Sequence, residues 1–323
     1  MKQYGRRKDF KREGNTIYVS FEYGELELQV ITEQIVRIFS RMSEECSESK
    51  AIEGDKKLKV VFDVKENEES IDIYLPELIV KVFDGAKVDI YDREGIPVCL
   101  DYRENRTSSQ ALDRETVELL KQEGHLAREG VNDHAIQIVK QMDGDESFYG
   151  LGDKTGFLNK RGYEYMNWNT DNPDPHTDNF RALYKSIPFF ITLKKTAVFG
   201  IFFDNTFRTY FDMGKESDDY YWFGGDQGNL DYYFISGKTM KDVVKGYTYL
   251  TGTAPLPQMW TLGYHQSRWG YKCEADVKRI AETMRANLLP CDVIHLDIDY
   301  MDQYKVFTVD GTRFPDMKGL SRE

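Results

Sequence analysis

Two carboxylates stand at alternate positions in His295-Leu296-Asp297-Ile298-Asp299-Tyr300-Met301. An extended chain turns alternate side chains to one side, so His295, Asp297 and Asp299 share a face there. Carboxylates that close repel unless donors surround them. The pair is therefore either capped or salt-bridged as structure, or it binds a ligand, and neither member need be a catalytic acid or base. A second concentration of polar chemistry is Asn167-Trp168-Asn169-Thr170-Asp171-Asn172-Pro173-Asp174-Pro175-His176. It is a polar loop pinned by two prolines and carrying an indole among amides and carboxylates. Hydroxyl-rich ligands want amide and charged partners for their O–H groups and an aromatic ring for their C–H face, whereas an ordinary surface loop uses the same residues for caps and turns.

The elements that must position these residues follow from periodicity. Thr261 to Tyr264 is short, apolar and aromatic, and Val277, Ile280, Ala281, Met284 and Leu288 recur at helical spacing, predicting a helix over 274–288 that Pro290 ends. Asp292 to Leu296 reads as a strand buried on both faces. Strand, helix, strand is a βαβ unit with parallel strands, and functional side chains in such folds sit at the carboxyl ends of the strands, where Asp297 and Asp299 fall.

Upstream, the chain reads mostly as strands. Ile17, Val19 and Phe21 alternate with polar neighbours, as do Leu26, Leu28 and Val30. Ile71 to Leu75, Leu78 to Phe83 and Val88 to Tyr91 follow, with Asp92-Arg93-Glu94-Gly95 as a turn. Phe189 to Leu193, Val198 to Phe203, Phe207 to Phe211 and Leu230 to Ile235 continue the pattern, separated by Lys194-Lys195, Asp204-Asn205 and Gly224-Gly225. Many short strands with regular turns predict a β-sandwich. Ser43 to Lys57 reads as a solvated loop and Arg103 to Gly130 as a long hairpin or excursion. Met240, Val243, Val244, Tyr247 and Leu250 share one face of a helix that Gly252 terminates. The predicted organisation is a sandwich domain over 1–252, a linker over 253–257 and the start of a second domain over 258–323.

Composition narrows the partners. A formal charge of −12 over 323 residues repels phosphate, which argues against nucleic acid and anionic membranes and leaves neutral substrates open. No apolar run is long enough to span a bilayer, and the basic N-terminus lacks a following apolar region, so a cytoplasmic protein is expected. Cys46, Cys99, Cys273 and Cys291 are scattered, as a reducing compartment permits, and the five histidines form no ligand-spaced cluster. Neither a metal nor a cofactor is expected. Gly150-Leu151-Gly152-Asp153-Lys154-Thr155-Gly156 imitates a phosphate loop, but its glycine spacing is wrong and Asp153 would oppose phosphate, so a Gly-rich turn is the better reading.

Taken together, Phe148-Tyr149-Gly150-Leu151-Gly152-Asp153, Asn159-Lys160-Arg161-Gly162, the Trp168 to His176 loop, Leu183-Tyr184-Lys185-Ser186-Ile187-Pro188-Phe189, Gln266-Ser267-Arg268-Trp269-Gly270-Tyr271 and Asp297-Ile298-Asp299-Tyr300-Met301 resemble the family 31 glycoside hydrolases, and more narrowly their bacterial α-glucosidase branch. The resemblance implies an N-terminal antiparallel β-sandwich followed by a (β/α)8 barrel, of which this chain holds the first two βα units. It implies that Asp171 contacts the sugar on the leaving side of the bond, that Asp297 holds hydroxyls of the transferred glucose with Ile298 beside it, and that Trp269 walls the leaving-group side. A tryptophan at the Trp269 position is associated in the family with α-1,6 links and a tyrosine with α-1,4. The structural alternative for Trp269 is packing between domains.

Family members carry the nucleophile after the fourth barrel strand and the acid/base after the sixth, in a chemistry that uses both through an oxocarbenium-like transition state. This chain ends at Glu323, soon after the second, so a fragment without either catalytic residue and inactive alone is expected. The resemblance points to an α-glucosidase acting on a small neutral oligosaccharide. An α-glucosyltransferase or α-xylosidase of the same family and a non-catalytic sugar-binding sandwich are the alternatives.

Overall fold

The computed structural model describes residues 4–43, 49–53, 59–104, 136–172, 175–178 and 180–323, in two compact units, Met1–Thr253 and Ala254–Glu323. The expected loop over 43–57 lies largely outside the described residues, and the expected excursion over 103–130 almost wholly so.

The first unit is built from antiparallel sheets. The largest runs Arg7–Glu13, Thr16–Phe21, Gly24–Val30, Ile35–Ser40, Leu230–Gly237, Ala197–Phe203, Ser186–Lys194, Ser147–Gly152. A five-stranded sheet (Asp63–Glu66, Ser70–Tyr74, Leu78–Phe83, Lys87–Asp92, Pro97–Cys99) and a four-stranded one (Ile136–Gln141, Tyr220–Gly225, Thr209–Asp212, Glu164–Asn167) complete the sandwich. The alternation read from the sequence decides the faces. Ile17, Val19, Phe21, Leu26, Leu28 and Val30 are buried and join Ile73, Val80, Ile138, Phe211 and Phe223 in one core fed by all three sheets.

Within that core Lys140 is fully buried, with its ammonium 2.6 Å from Asp101 and 3.2 Å from the Tyr232 hydroxyl. Burial alone would strip the charge, but Asp101 outweighs it and holds the Lys140 pKa well above the ordinary value. Asp101 also accepts from the Val88 amide, so the pair stitches strand Lys87–Asp92 to strand Ile136–Gln141.

The opposite face of the large sheet is covered by the helix Met240–Thr251. Thr239 and Asp242 form a reciprocal capping box at its start, and Gly252, at φ 81°, ends it as expected. Val243 and Leu250 are buried against Phe189, Ile191, Phe202, Tyr233 and Ile235, while the Tyr247 ring stacks on Phe189 at 4.0 Å. Val244, expected on the buried face, is 45% exposed, because the stripe of Met240, Val243, Tyr247 and Leu250 leaves it on the flank.

Two glycine readings need correction. Gly224-Gly225 does not separate strands. It closes strand Tyr220–Gly225, where a side chain at Gly224 would collide with the Ile136 carbonyl of the neighbouring strand. The turn comes later, at Gly228 with φ 98°. Likewise Gly150 and Gly152 are strand residues flanking a bulge at Leu151, and a Cβ would meet the Phe189 carbonyl at Gly150 and the Lys185 carbonyl at Gly152. Strand Thr209–Asp212 also begins two residues later than the predicted Phe207.

In the second unit the strands His265–Ser267 and Val293–His295 pair in parallel around the helix Glu274–Ala286, which is the predicted βαβ order. The details shift. Thr261 and Leu262 close a 3-10 turn, Met259–Leu262, and the first strand follows it rather than starting at Thr261. The helix stops at Ala286, before Pro290 can act, because Leu288 takes a left-handed φ of 56° and the Leu289 amide returns to the Met284 carbonyl. Leu288 is thus 90% exposed and off the buried face, which packs Val277 with Tyr271 and Phe314. Val293 and Ile294 are only half-buried, since among the described residues their strand has one neighbour.

Candidate functional site

The polar loop of the sandwich leaves strand Glu164–Asn167 and returns at Ser186, the first residue of strand Ser186–Lys194. Its base is tied by short local bonds. The Ser186 amide donates to Asn169 Oδ1 at 3.1 Å, Thr170 Oγ1 to the Trp168 carbonyl at 2.8 Å, and the Met166 amide to the Arg181 carbonyl at 2.9 Å. Glu164 gathers Lys215 at 2.6 Å and Arg181. Trp168 is half exposed, with the Arg208 guanidinium 5.0 Å from its ring centre, so a cation sits by one part of the indole and the rest faces out.

Asp171 is exposed on this loop and accepts a hydrogen bond from the Tyr184 hydroxyl, the main cause of that phenol's raised pKa. His176 lies 3.1 Å from the Asn172 carbonyl and packs on Phe180. Pro173 and Asp174 lie outside the described residues. At the loop's base a cavity of about 690 Å³ opens between Trp168, Ile187, Phe207 and Tyr247, a volume suited to a small molecule.

Lys154, in the stretch that imitates a phosphate loop, is committed elsewhere. Its ammonium donates to the Met166 carbonyl at 3.2 Å, and burial lowers its pKa to about 8.

In the second unit, Ser267 pairs with His295, so Trp269 and Asp297 each follow the same end of the parallel strands by two residues. Trp269 is 71% exposed, Asp297 is exposed and Ile298 is 38% exposed. The expected alternation of Asp297 and Asp299 fails. The strand ends at His295 and Asp297 turns left-handed at φ 60°, which points the two carboxylates into different surroundings. Asp299 is buried at 5% exposure and accepts from the Tyr304 hydroxyl at 3.1 Å. An exposed carboxylate and an exposed indole at one sheet end can accept sugar hydroxyls and stack on a sugar's C–H face.

Sequence reading missed two side chains and one pairing. Tyr184 stood in a quoted motif without a role. Arg313 bonds Asp310 at 2.7 Å and the Met301 carbonyl at 3.0 Å, and its i,i+3 spacing from Asp310 was the available signal. His265 and His295 lie 3.1 Å apart, a pair that linear spacing hides because the parallel strands bring them together.

Comparison with known proteins matches this arrangement. The profile of the glycosyl hydrolase 31 N-terminal galactose mutarotase-like domain covers residues 25–212, and that of the glycosyl hydrolases family 31 TIM-barrel domain covers residues 254–323. An α-glucosidase 2 of Bacillus thermoamyloliquefaciens is 49% identical over 185 residues, 57% of this chain and 23% of that protein. An α-glucosidase of Saccharolobus solfataricus is 34% identical over 188 residues, 58% of this chain and 27% of that one. The chain thus spans about a quarter of the length of these curated relatives. A family 31 dextranase of Flavobacterium johnsoniae, solved in complex with isomaltotriose, superposes with a TM-score of 0.82 at 30% identity, covering 100% of this chain and 37% of that one. With a sandwich profile matching more than half of its length and a barrel profile following in the same order, the chain belongs to glycoside hydrolase family 31.

Proposed function

We propose that this chain is the front part of a retaining α-glucosidase that cleaves α-linked gluco-oligosaccharides and favours α-1,6 links. The observation that carries the reading is the placement of Trp269 and Asp297 at one end of the parallel strand pair. In this proposal Asp297 holds hydroxyls of the glucose being transferred, Ile298 lines its side and Trp269 walls the leaving group, and Asp171 of the sandwich loop is a further sugar-contacting carboxylate. Relatives named α-glucosidases and the dextranase solved with isomaltotriose support the substrate class.

The same proposal assigns the nucleophile and acid/base to later barrel strands, as the family resemblance implies. The described barrel portion holds two strands, and in this proposal the 323-residue chain alone releases no glucose. The test is the intact mass of the protein from its native source, with the same material assayed on isomaltose and maltose. A mass well above that of 323 residues, with glucose released faster from isomaltose, is expected. A mass matching 323 residues without turnover would move the reading to a sugar-binding sandwich.

A further inference from the structure

We propose that Asp299 is a positioning residue for the sugar site: its buried carboxylate, bonded by Tyr304, locks the turn that holds Asp297 outward. The proposal rests on the reading of Asp297 as a sugar-binding carboxylate and assigns a role to the neighbour that does not face the ligand.

Four non-glycine residues near this turn adopt left-handed backbone, Asp297 at φ 60°, Gln303 at 51°, Tyr304 at 59° and Phe307 at 64°. Each is a strained conformation for an L residue, so the surroundings must over-determine them. They do so from two sides. From within, the Met301 amide closes on the Ile298 carbonyl at 3.1 Å, and the Tyr304 hydroxyl reaches back to Asp299 Oδ1. From outside, the Asp310 amide donates to the Tyr300 carbonyl at 2.8 Å, and Arg313, held by Asp310, donates to the Met301 carbonyl. A carboxylate at 5% exposure survives only with such partners, so Asp299 is fixed where it lies.

Asp297 is the opposite case. It is exposed, strained and without a hydrogen-bond partner among the described residues. Two positions from a clamped carboxylate, it is a free acceptor held at a set angle. A sugar hydroxyl that meets Asp297 in this geometry binds without first ordering the turn. Loosening Asp299 therefore weakens sugar binding although Asp299 touches no sugar.

The test uses the longer protein proposed to carry this chain, with isomaltose binding read before turnover as the probe and amide hydrogen exchange as the report on the turn. Asp299→Asn and the milder Tyr304→Phe are each expected to speed exchange of the Met301 amide about tenfold while the amides of helix Glu274–Ala286 stay as they were. Each is expected to weaken isomaltose binding about fivefold, and to add nothing once Asp297→Asn is present. An unchanged Met301 amide, or the same loss in the Asp297→Asn background, overturns the positioning role alone. A wild-type protein that binds no isomaltose, with Met301 still responding, overturns the sugar reading and leaves Asp299 as structure only.

Discussion

Ser267 sits opposite His295 in the parallel strand pair, and this one register fixes where Trp269 and Asp297 leave the sheet. An indole and a carboxylate emerging from the same end can address the two sides of one glycosidic bond. The first two predictions test that geometry in the longer protein proposed to carry this chain.

Replacing Asp297 with Asn removes the charge and keeps the shape. Charge-assisted hydrogen bonds are worth roughly 1.5 to 3 kcal/mol, so kcat/KM on isomaltose is expected to fall by about 10- to 100-fold with an unchanged melting temperature. A fall of less than about twofold would remove Asp297 from the site.

Trp269→Tyr is expected to lower the isomaltose-to-maltose ratio of kcat/KM about tenfold, because a smaller ring reshapes the wall on the leaving side. Paired initial rates on the two disaccharides check it. An unchanged ratio would assign Trp269 to packing.

Asp101→Ala strands the Lys140 ammonium in the sandwich core. Breaking a buried pair from one side costs about 3 to 5 kcal/mol, so urea unfolding of the first unit is expected to shift by that amount. Replacing both residues by apolar ones should restore much of the loss.

Glu146 supplies a pH signature. It is 3% exposed, and burial pushes its carboxyl up to about 7 against the pull of Lys194, 3.5 Å away. The folded pKa lies above the unfolded one, so the native state holds the extra proton between them. The stability this group lends is full below the unfolded value near 4.5 and is lost as pH rises through about 7, a change of roughly 3 kcal/mol. Denaturant midpoints at pH 5 and pH 8 should show that decline, and Glu146→Gln should flatten it.

What the sequence made legible follows from which faces are buried. Thr16–Phe21 and Leu78–Phe83 alternate because one face meets the core and the other does not. Tyr220–Gly225 is buried at every position, so it carries no alternation, and its closing glycines imitated a turn. Arg7–Glu13 is the reverse, an exposed, charged edge strand that apolar periodicity cannot register. At the site, the residue types were readable while the angles were not. Asp297 and Asp299 part company because a single left-handed φ intervenes, and nothing in Asp-Ile-Asp announces it.

The sandwich core also gives the first unit its own spectroscopic label. Phe148, Phe190, Tyr221, Phe223 and Tyr232 lie within a mesh of ring contacts at 5.0 to 6.2 Å. Of the indoles, Trp222 of the first unit is buried, Trp168 of the same unit is half exposed, and Trp260 and Trp269 of the second unit are exposed. Asymmetric coupling among packed rings yields near-ultraviolet circular dichroism that vanishes with tertiary order. Thermal loss of that signal, together with the red shift of the buried Trp222 emission, thus tracks melting of the sandwich, while Trp260 and Trp269, already solvated in the folded chain, add little to that shift.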